Sequence, residues 1–283
     1  MHVISDTLLA EYKANLINSE KSIATIDKYM RDMKAFVTYV RRRHGKNVDI
    51  DKEVVLNYKD YLGKNYKNSS ANSMLAATNM FFKTNGWYEC VVKPYKVQRE
   101  AFGRSERDLS IKEYNSLVKA AYARENPRLG LAMQTICCTG IRISELKYIT
   151  VEAAQSGVAE IWNKGKTRMV LLIPKLCDML EKYAEENGIQ RGCIFVTKNG
   201  VPIDRSNLLH EMKNLCDAAG VQKSKIFPHN LRHLFANTYY SKEKDLAHLA
   251  DILGHSNINT TRIYTAQSSY EQIKVIQSMG LLK

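Results

Sequence analysis

The sequence predicts a mainly α fold with a small β-sheet, split between an N-terminal helical bundle and an α+β remainder. Three observations predict it. A chain of 283 residues is long for one compact domain and suits two. Through most of its length apolar residues recur at three- and four-residue intervals. That period is interrupted only by short alternating runs, in SGVAEIWNKGKTRMVLLIP and CIFVTKNGVPI. Hydrophobic residues make up 45 % and charged residues 25 %, enough apolar mass for two cores.

The first helices are legible one by one. In SIATIDKYMRDMKAFVTYVRRRHG, the residues Ile23, Ile26, Met30, Met33, Phe36, Val37 and Val40 form an apolar stripe. Ser22 stands at the N-cap position, and Arg41, Arg42 and Arg43 crowd the last turn, where cations suit the helix dipole. DTLLAEYKANLIN before it, and KEVVLNYKDYLGK and SSANSMLAATNMFFKTNGW after it, complete four helices for a small bundle over residues 1–90. Residues 91–108 lose the period and carry Pro94, which reads as a linker. A second domain over 109–283 opens with LSIKEYNSLVKAA, where Ser110 and Glu113 make a capping box. Helices follow to about residue 150. SGVAEIWNKGKTRMVLLIP then reads as a β-hairpin and CIFVTKNGVPI as a third short strand, before helix returns through YEQIKVIQSMGLLK.

Charge gives the first clue to function. The net charge is +13. The first 108 residues hold nineteen Lys and Arg against thirteen Asp and Glu, and the remainder holds twenty-three against sixteen. Both parts are basic, which suits a protein that grips a polyanion from two sides. The six cysteines show no C-x-x-C and no cysteine/histidine ligand spacing, so a reducing compartment and no structural zinc are expected. No signal peptide and no run of membrane-span length is present, so an intracellular soluble protein is expected.

Four stretches carry candidate chemistry: TGIRISEL (139–146), NKGKTR (163–168), HNLRH (229–233) and LGHSNINTTRIY (253–264). Each has a plain structural explanation alone. Arg142 can pair with Glu145 as a helix neighbour, Lys164 and Lys166 can solubilise a turn, and Tyr264 is one of sixteen tyrosines. The GKT in the second stretch is not a P-loop, because that motif needs glycine where Glu160 stands. Together the four suit the transfer of a phosphodiester without a metal ion. Arginine forks neutralise and orient non-bridging oxygens. His229 and Arg232 lie three apart, so one helix face presents both to one phosphate. A tyrosine hydroxyl, with a pKa near 10, needs a base or strong positive surroundings to act as nucleophile. A leaving 5′-hydroxyl needs a proton, which a hairpin lysine can deliver.

TGIRISEL, the hairpin lysine, HNLRH, and LGH followed nine residues later by tyrosine resemble the motifs of the tyrosine recombinases, the phage-integrase and Xer-like group. The resemblance spans most of the chain: SIATIDKYMRDMKAFVTYV is similar to the opening helix of that family's core-binding domain, and LSIKEYNSLVKAA to the start of its catalytic domain. It implies a SAM-like core-binding bundle followed by an α+β tyrosine-recombinase catalytic domain. It also implies that Tyr264 attacks the scissile phosphate to form a 3′-phosphotyrosyl bond, with Arg142 and Arg232 on the non-bridging oxygens. Lys164 would be the general acid, His229 general base and phosphate ligand, and His255 a hydrogen-bond donor to the transition state. Glu145 would orient a neighbouring arginine or histidine, and His233 would pack and hydrogen-bond. The family's hairpin pattern begins G-K-G, whereas Asn163 replaces the first glycine here and the turn is shorter, which keeps Lys166 in contention.

The same resemblance implies a site-specific recombinase needing neither ATP nor metal. Its partner would be double-stranded DNA with an inverted-repeat core site, clamped between the two domains. Arg41, Arg42 and Arg43, and the linker residues Arg99, Arg104 and Arg107, are candidate DNA contacts, although each one alone also fits solvated surface charge. The amphipathic C-terminal helix would link protomers into a homotetramer on DNA, or fold back on its own domain. An arm-binding N-terminal domain is not expected, which favours a Xer-like, integron-like or small mobile-element role in the cytoplasm, at the nucleoid. A type IB topoisomerase and a catalytically silent DNA-binding protein are the alternatives.

Overall fold

The computed structural model describes residues 2–45, 48–96, 108–163, 165–264 and 277–278. The chain divides into two compact units, Met1–Arg99 and Glu100–Lys283. The first consists of α1 (Asp6–Asn18), α2 (Ile23–His44), α3 (Lys52–Asn65) and α4 (Asn68–Thr84). Three of these helices start at a side chain that accepts an otherwise orphaned backbone N–H: Ser5 from Leu8, Ser22 from Thr25 and Asp51 from Val54. The apolar stripes meet in a core where Tyr12, Phe36, Tyr58, Phe81 and Phe82 are fully buried. Phe36 sets its ring edge against Tyr58 at 4.9 Å and against Phe82 at 5.7 Å. The described part of the expected linker, residues 91–96, packs on this unit. Asn79 brackets the backbone of Val92 with one bond each way, and Asn72 does the same for Tyr95. Arg99, Arg104 and Arg107 lie outside the described residues.

The second unit opens with α5 (Ile111–Ala123), where Ser110 and Glu113 form a reciprocal capping box. α6 (Pro127–Thr139) ends at Gly140, in the left-handed region at φ +67. A 3-10 turn (Ile143–Tyr148) and α7 (Val151–Ser156) lead into an antiparallel hairpin of β1 (Val158–Asn163) and β2 (Lys166–Leu171). The register runs from Val158 opposite Leu171 to Asn163 opposite Lys166, so residues 164–165 join the strands. Alternation assigns the faces: Ala159, Ile161 and Val170 are buried, while Trp162, Met169 and Leu171 are exposed. Then come α8 (Pro174–Glu186), α9 (Arg205–Ala219), α10 (Pro228–Glu243), α11 (Leu246–Leu253) and a 3-10 segment (Ile258–Tyr264).

One expected element is absent. CIFVTKNGVPI forms isolated bridges, Thr150 with Cys193 and Val196 with Pro202, and no third strand. The chain doubles back on itself within it, with Thr197 N–H donating to Val201 O and Gly200 N–H to Thr197 O. Pro202 has no N–H with which to extend a ladder. Ile194 and Phe195 are nonetheless fully buried, which is the burial that gave the segment its strand-like pattern. Among the described residues no helix is long and apolar enough to cross a membrane.

Two cores serve the second unit. The larger includes Leu117, Ile136, Leu146, Ile161 and Phe195; a smaller one holds Ala236, Leu249, Leu253 and Tyr264. Gly140 lies where α6 meets α10, and a Cβ added there would stand 2.4 Å from the Phe235 ring. Gly188 shares its φ of +67 but has open space around it. We expect Gly188→Ala to lose about 1–2 kcal/mol, the cost of a left-handed non-glycine residue. Gly140→Ala should lose clearly more, measured by denaturant unfolding. Equal losses would contradict the close approach of Phe235.

Candidate active site

Four separate segments supply the site. Gly140 stops α6, and Arg142 follows in extended backbone at φ −78 and ψ 152, just ahead of the 3-10 turn. Glu145, in the first turn, reaches back: Arg142 donates to it from its backbone N–H (2.8 Å) and from its guanidinium (2.9 Å). Arg168 arrives from β2 and lays a two-pronged fork on the same carboxylate, at 3.1 and 2.7 Å. The Glu145 side chain is only 2 % exposed. Burial pushes its pKa up, but the bonds from Arg168 and Arg142 outweigh that and hold the carboxyl at about 2.

Arg232, on α10, is 3 % exposed. One guanidinium nitrogen donates to Gly140 O at 2.7 Å, and another donates to Leu253 O at 2.7 Å and lies 2.9 Å from His255 Nε2. Its neighbours on that side are neutral acceptors, so its charge is not cancelled by contact with a carboxylate. Burial and then Arg142 pull its pKa down to about 10, which leaves it cationic at neutral pH. His255 follows the Gly254 that ends α11, and its Nδ1 lies 2.8 Å from the buried Thr261 hydroxyl. With Arg232 donating to Nε2, the imidazole carries its proton on Nδ1 and gives it to Thr261. Burial, with Arg232, Arg142 and Arg168 around it, holds the pKa of His255 at about 4.

Tyr264 ends the 3-10 segment, 7 % exposed. It is a core aromatic and a site residue at once. Its ring packs with Ala236, Leu249 and Leu253, while its phenol lies within the electrostatic field of Arg232. Burial raises the phenol pKa, and Arg232 and Arg142 oppose that rise. His233 meets the Tyr264 ring edge-on at 5.2 Å, and burial holds its own pKa at about 4. His229 sits one turn earlier, more open, 6.5 Å from His233; burial first, then Arg205, Arg232 and Arg142, lowers its pKa. The structure thus gathers two bonded pairs, Arg142 with Glu145 and Arg232 with His255, within electrostatic reach of Tyr264, with His233 against the Tyr264 ring and His229 beside it. Lys164 lies outside the described residues; Lys166 donates to the Ser256 hydroxyl at 3.2 Å, next to His255.

Arg41, Arg42 and Arg43 belong to the other unit. Arg41 faces Asp6 at 3.6 Å, and Arg42 and Arg43 line an open cleft of about 410 Å³ with Tyr39, Tyr61 and Tyr66. Two residues of the second unit's site were not singled out by sequence reasoning. Arg168 stands within NKGKTR, two positions from buried Val170, and strand alternation places it on the inward face. Thr261 carries no such signal, since one hydroxyl in NTTRIY looks like another.

Comparison with known proteins decides the family. The family model of the phage integrase family matches residues 107–271, more than half of the chain, and that of the phage integrase N-terminal SAM-like domain matches residues 9–86. The chain belongs to the phage integrase family. It is a tyrosine recombinase, an enzyme of DNA strand breakage and rejoining. Tyrosine recombinase XerD of Staphylococcus saprophyticus is 28 % identical over 284 residues, covering 92 % of this chain and 94 % of that protein. Tyrosine recombinase XerH of Campylobacter jejuni is 32 % identical over 157 residues, 53 % of this chain and 44 % of that one. Among solved structures, a XerH post-cleavage complex on a palindromic difH substrate has a TM-score of 0.73 at 19 % identity, covering 98 % of this chain and 84 % of that one. A lambda integrase tetramer on a Holliday junction has a TM-score of 0.71 at 18 % identity, covering 91 % and 76 %. At these identities the structures speak for the recombinase fold.

Two half-buried histidines of this recombinase give its stability a pH dependence with a defined sign. His233 and His255 have folded pKa values of about 4, below the ordinary 6.5. Above pH 6.5 they are neutral in both states. As pH falls below 6.5 the unfolded chain takes up protons that the folded chain refuses, so stability falls towards pH 4. Glu145 and Glu113, with lowered pKa values, add their own losses only below about 4.5. We expect the melting temperature of the DNA-free protein to drop between pH 6.5 and 4.5, and His233→Gln to flatten that drop. An unchanged slope in the variant would remove His233 as its source.

Proposed function

We propose that this chain is a site-specific recombinase in which Tyr264 is the nucleophile toward duplex DNA. One observation carries the reading: Arg142, Arg232, His255 and Tyr264, distant in sequence, converge where a single phosphate could meet them all. Tyr264 Oη gives its proton to His229, attacks phosphorus and forms a 3′-phosphotyrosyl ester. The bond from phosphorus to the 5′-oxygen breaks, and that oxygen takes a proton from Lys164. Rejoining runs the steps backward: a 5′-hydroxyl attacks the ester and Tyr264 leaves as the phenol. One phosphoester replaces another, so no external energy source is needed.

The resting hydrogen bonds fit this sequence of events. Without DNA, His255 accepts from Arg232 and shows no Nε2 proton to the site. A phosphate arriving between them takes Arg232 as its own donor and adds a negative charge beside His255. Both changes favour an Nε2 proton, which then donates to a non-bridging oxygen. Arg142 meets the phosphate while Glu145 holds its other edge. The partner would be double-stranded DNA with inverted repeats, consistent with the palindromic substrate named for the XerH complex. Assembly into a tetramer through the C-terminal helix, as a tetramer is named for lambda integrase, and a place in the cytoplasm at the nucleoid complete the reading.

The test expresses wild type and Tyr264→Phe in cells carrying the native locus and sequences DNA recovered in SDS-resistant protein adducts. Wild-type adducts at one inverted-repeat site, absent with Tyr264→Phe, are expected. Adducts scattered over the genome would overturn site specificity in favour of a topoisomerase, and equal recovery would remove Tyr264. With the site in hand, Arg232→Ala should slow adduct formation by about 10²–10³, the usual effect of removing one oxyanion donor.

A further inference from the structure

We infer that Arg168 is a positioning residue that holds the hairpin, and with it the leaving-group proton donor, against the rest of the site; this deepens the recombinase reading and rests on it. Four observations place it there. Its side chain is 14 % exposed although it lies only two residues from the exposed end of β2. Both terminal nitrogens are committed to Glu145, the carboxylate that also holds Arg142. The stem of Arg168 runs against Gly254, where an added Cβ would sit 2.8 Å from Cδ and 3.1 Å from Nε. From the same strand, Lys166 reaches Ser256.

Arg168 and Lys166 together therefore join three chain segments: the Arg142–Glu145 turn through the guanidinium, β2 itself, and the Gly254–Ser256 corner that carries His255, through packing at Gly254 and the Lys166 bond to Ser256. Along β2, Lys166 and Thr167 are exposed, so Arg168 is the last buried anchor before the connection at 164–165. Two residues of strand span about 7 Å, so a tilt at Arg168 displaces Lys166 and the connection that carries Lys164. Proton transfer needs its donor within hydrogen-bond reach of the leaving oxygen, which makes this the step most sensitive to the hairpin's position. Lysine is a poor substitute at 168, because one ammonium cannot reproduce a bidentate fork. Arg168 acts through the strand, with both terminal nitrogens already held by Glu145.

The experiment separates this role from a structural one by changing the leaving group. Duplexes carrying the mapped cleavage site are made with an ordinary phosphodiester and with sulfur at the bridging 5′ position, where a thiolate departs without a proton. Wild type, Arg168→Ala and Arg168→Lys are compared for single-turnover adduct formation and for melting temperature. On the oxygen substrate we expect Arg168→Ala to be slower by about 10², at the low end of general-acid contributions, and Arg168→Lys by about 10-fold. On the sulfur substrate both should return to within about threefold of wild type, a rescue that loss of folding or of Arg142 placement does not give. Equal losses on both substrates, or no loss on the oxygen substrate, would overturn the proposal while leaving the recombinase reading intact. Failure of wild type to form an adduct on either substrate would instead remove the reading beneath it.

Discussion

The second unit depends on burying guanidinium groups without leaving them unpartnered. A charge removed from water is costly unless its donors are matched, and this unit matches most of them in two ways, the buried Nε of Arg168 having no partner among the described residues. Arg232 is given the carbonyls of Gly140 and Leu253, which end two different helices. Arg142 and Arg168 share the buried carboxylate of Glu145. The last carbonyls of a helix have no partner inside it, so α6 and α11 each present an acceptor where the cation needs one. Helix ends and arginine thus solve each other's problem, and the ends of α6 and α11 are fixed relative to α10 by the same bonds.

This arrangement explains which parts of the protein were legible in its sequence. Helices were, because their signals are local: Ser22 and Ser110 cap as their positions suggest, and the stripe from Ile26 to Val40 faces the core. The hairpin was legible from alternation. CIFVTKNGVPI was misread because buried alternating residues look alike in a strand and in a doubled-back loop; only the backbone partners differ. The four motifs suggested the site's composition, but not its wiring. No sequence pattern states that Arg232 will bond backbone carbonyls 92 and 21 residues away. Arg168 was passed over for the same reason: its partner lies 23 residues distant, and a cation near a hairpin tip looks solvated.

Tyr264 illustrates a limit of either/or reasoning about a residue. Its ring belongs to a small apolar cluster, and its hydroxyl faces Arg232. The ring contacts supply the burial that raises the phenol pKa, so a neutral hydroxyl is the resting form. In the proposed role of nucleophile, a neutral, buried hydroxyl is protected from reacting when no substrate is bound. The same burial strengthens its interaction with Arg232 and Arg142, since charges and dipoles act more strongly away from water. Packing sets the resting state, and the cations set the direction of change once the proton has a place to go.

The charge balance of the site follows from these pairings. His229, His233 and His255 all have pKa values lowered below the ordinary range, so near neutral pH they add little charge. Three guanidiniums, Arg142, Arg168 and Arg232, stand against the one carboxylate of Glu145, an excess of positive charge to which the hairpin's lysines add. A phosphodiester carries one negative charge, and attack by a phenolate brings a second into the transition state. In the proposed reaction this excess favours the more negative transition state over the bound ground state, the condition under which binding energy lowers a barrier. Had Arg232 been paired with a second carboxylate, that excess would have been smaller. Its pairing with backbone carbonyls satisfies its hydrogen bonds without cancelling its charge.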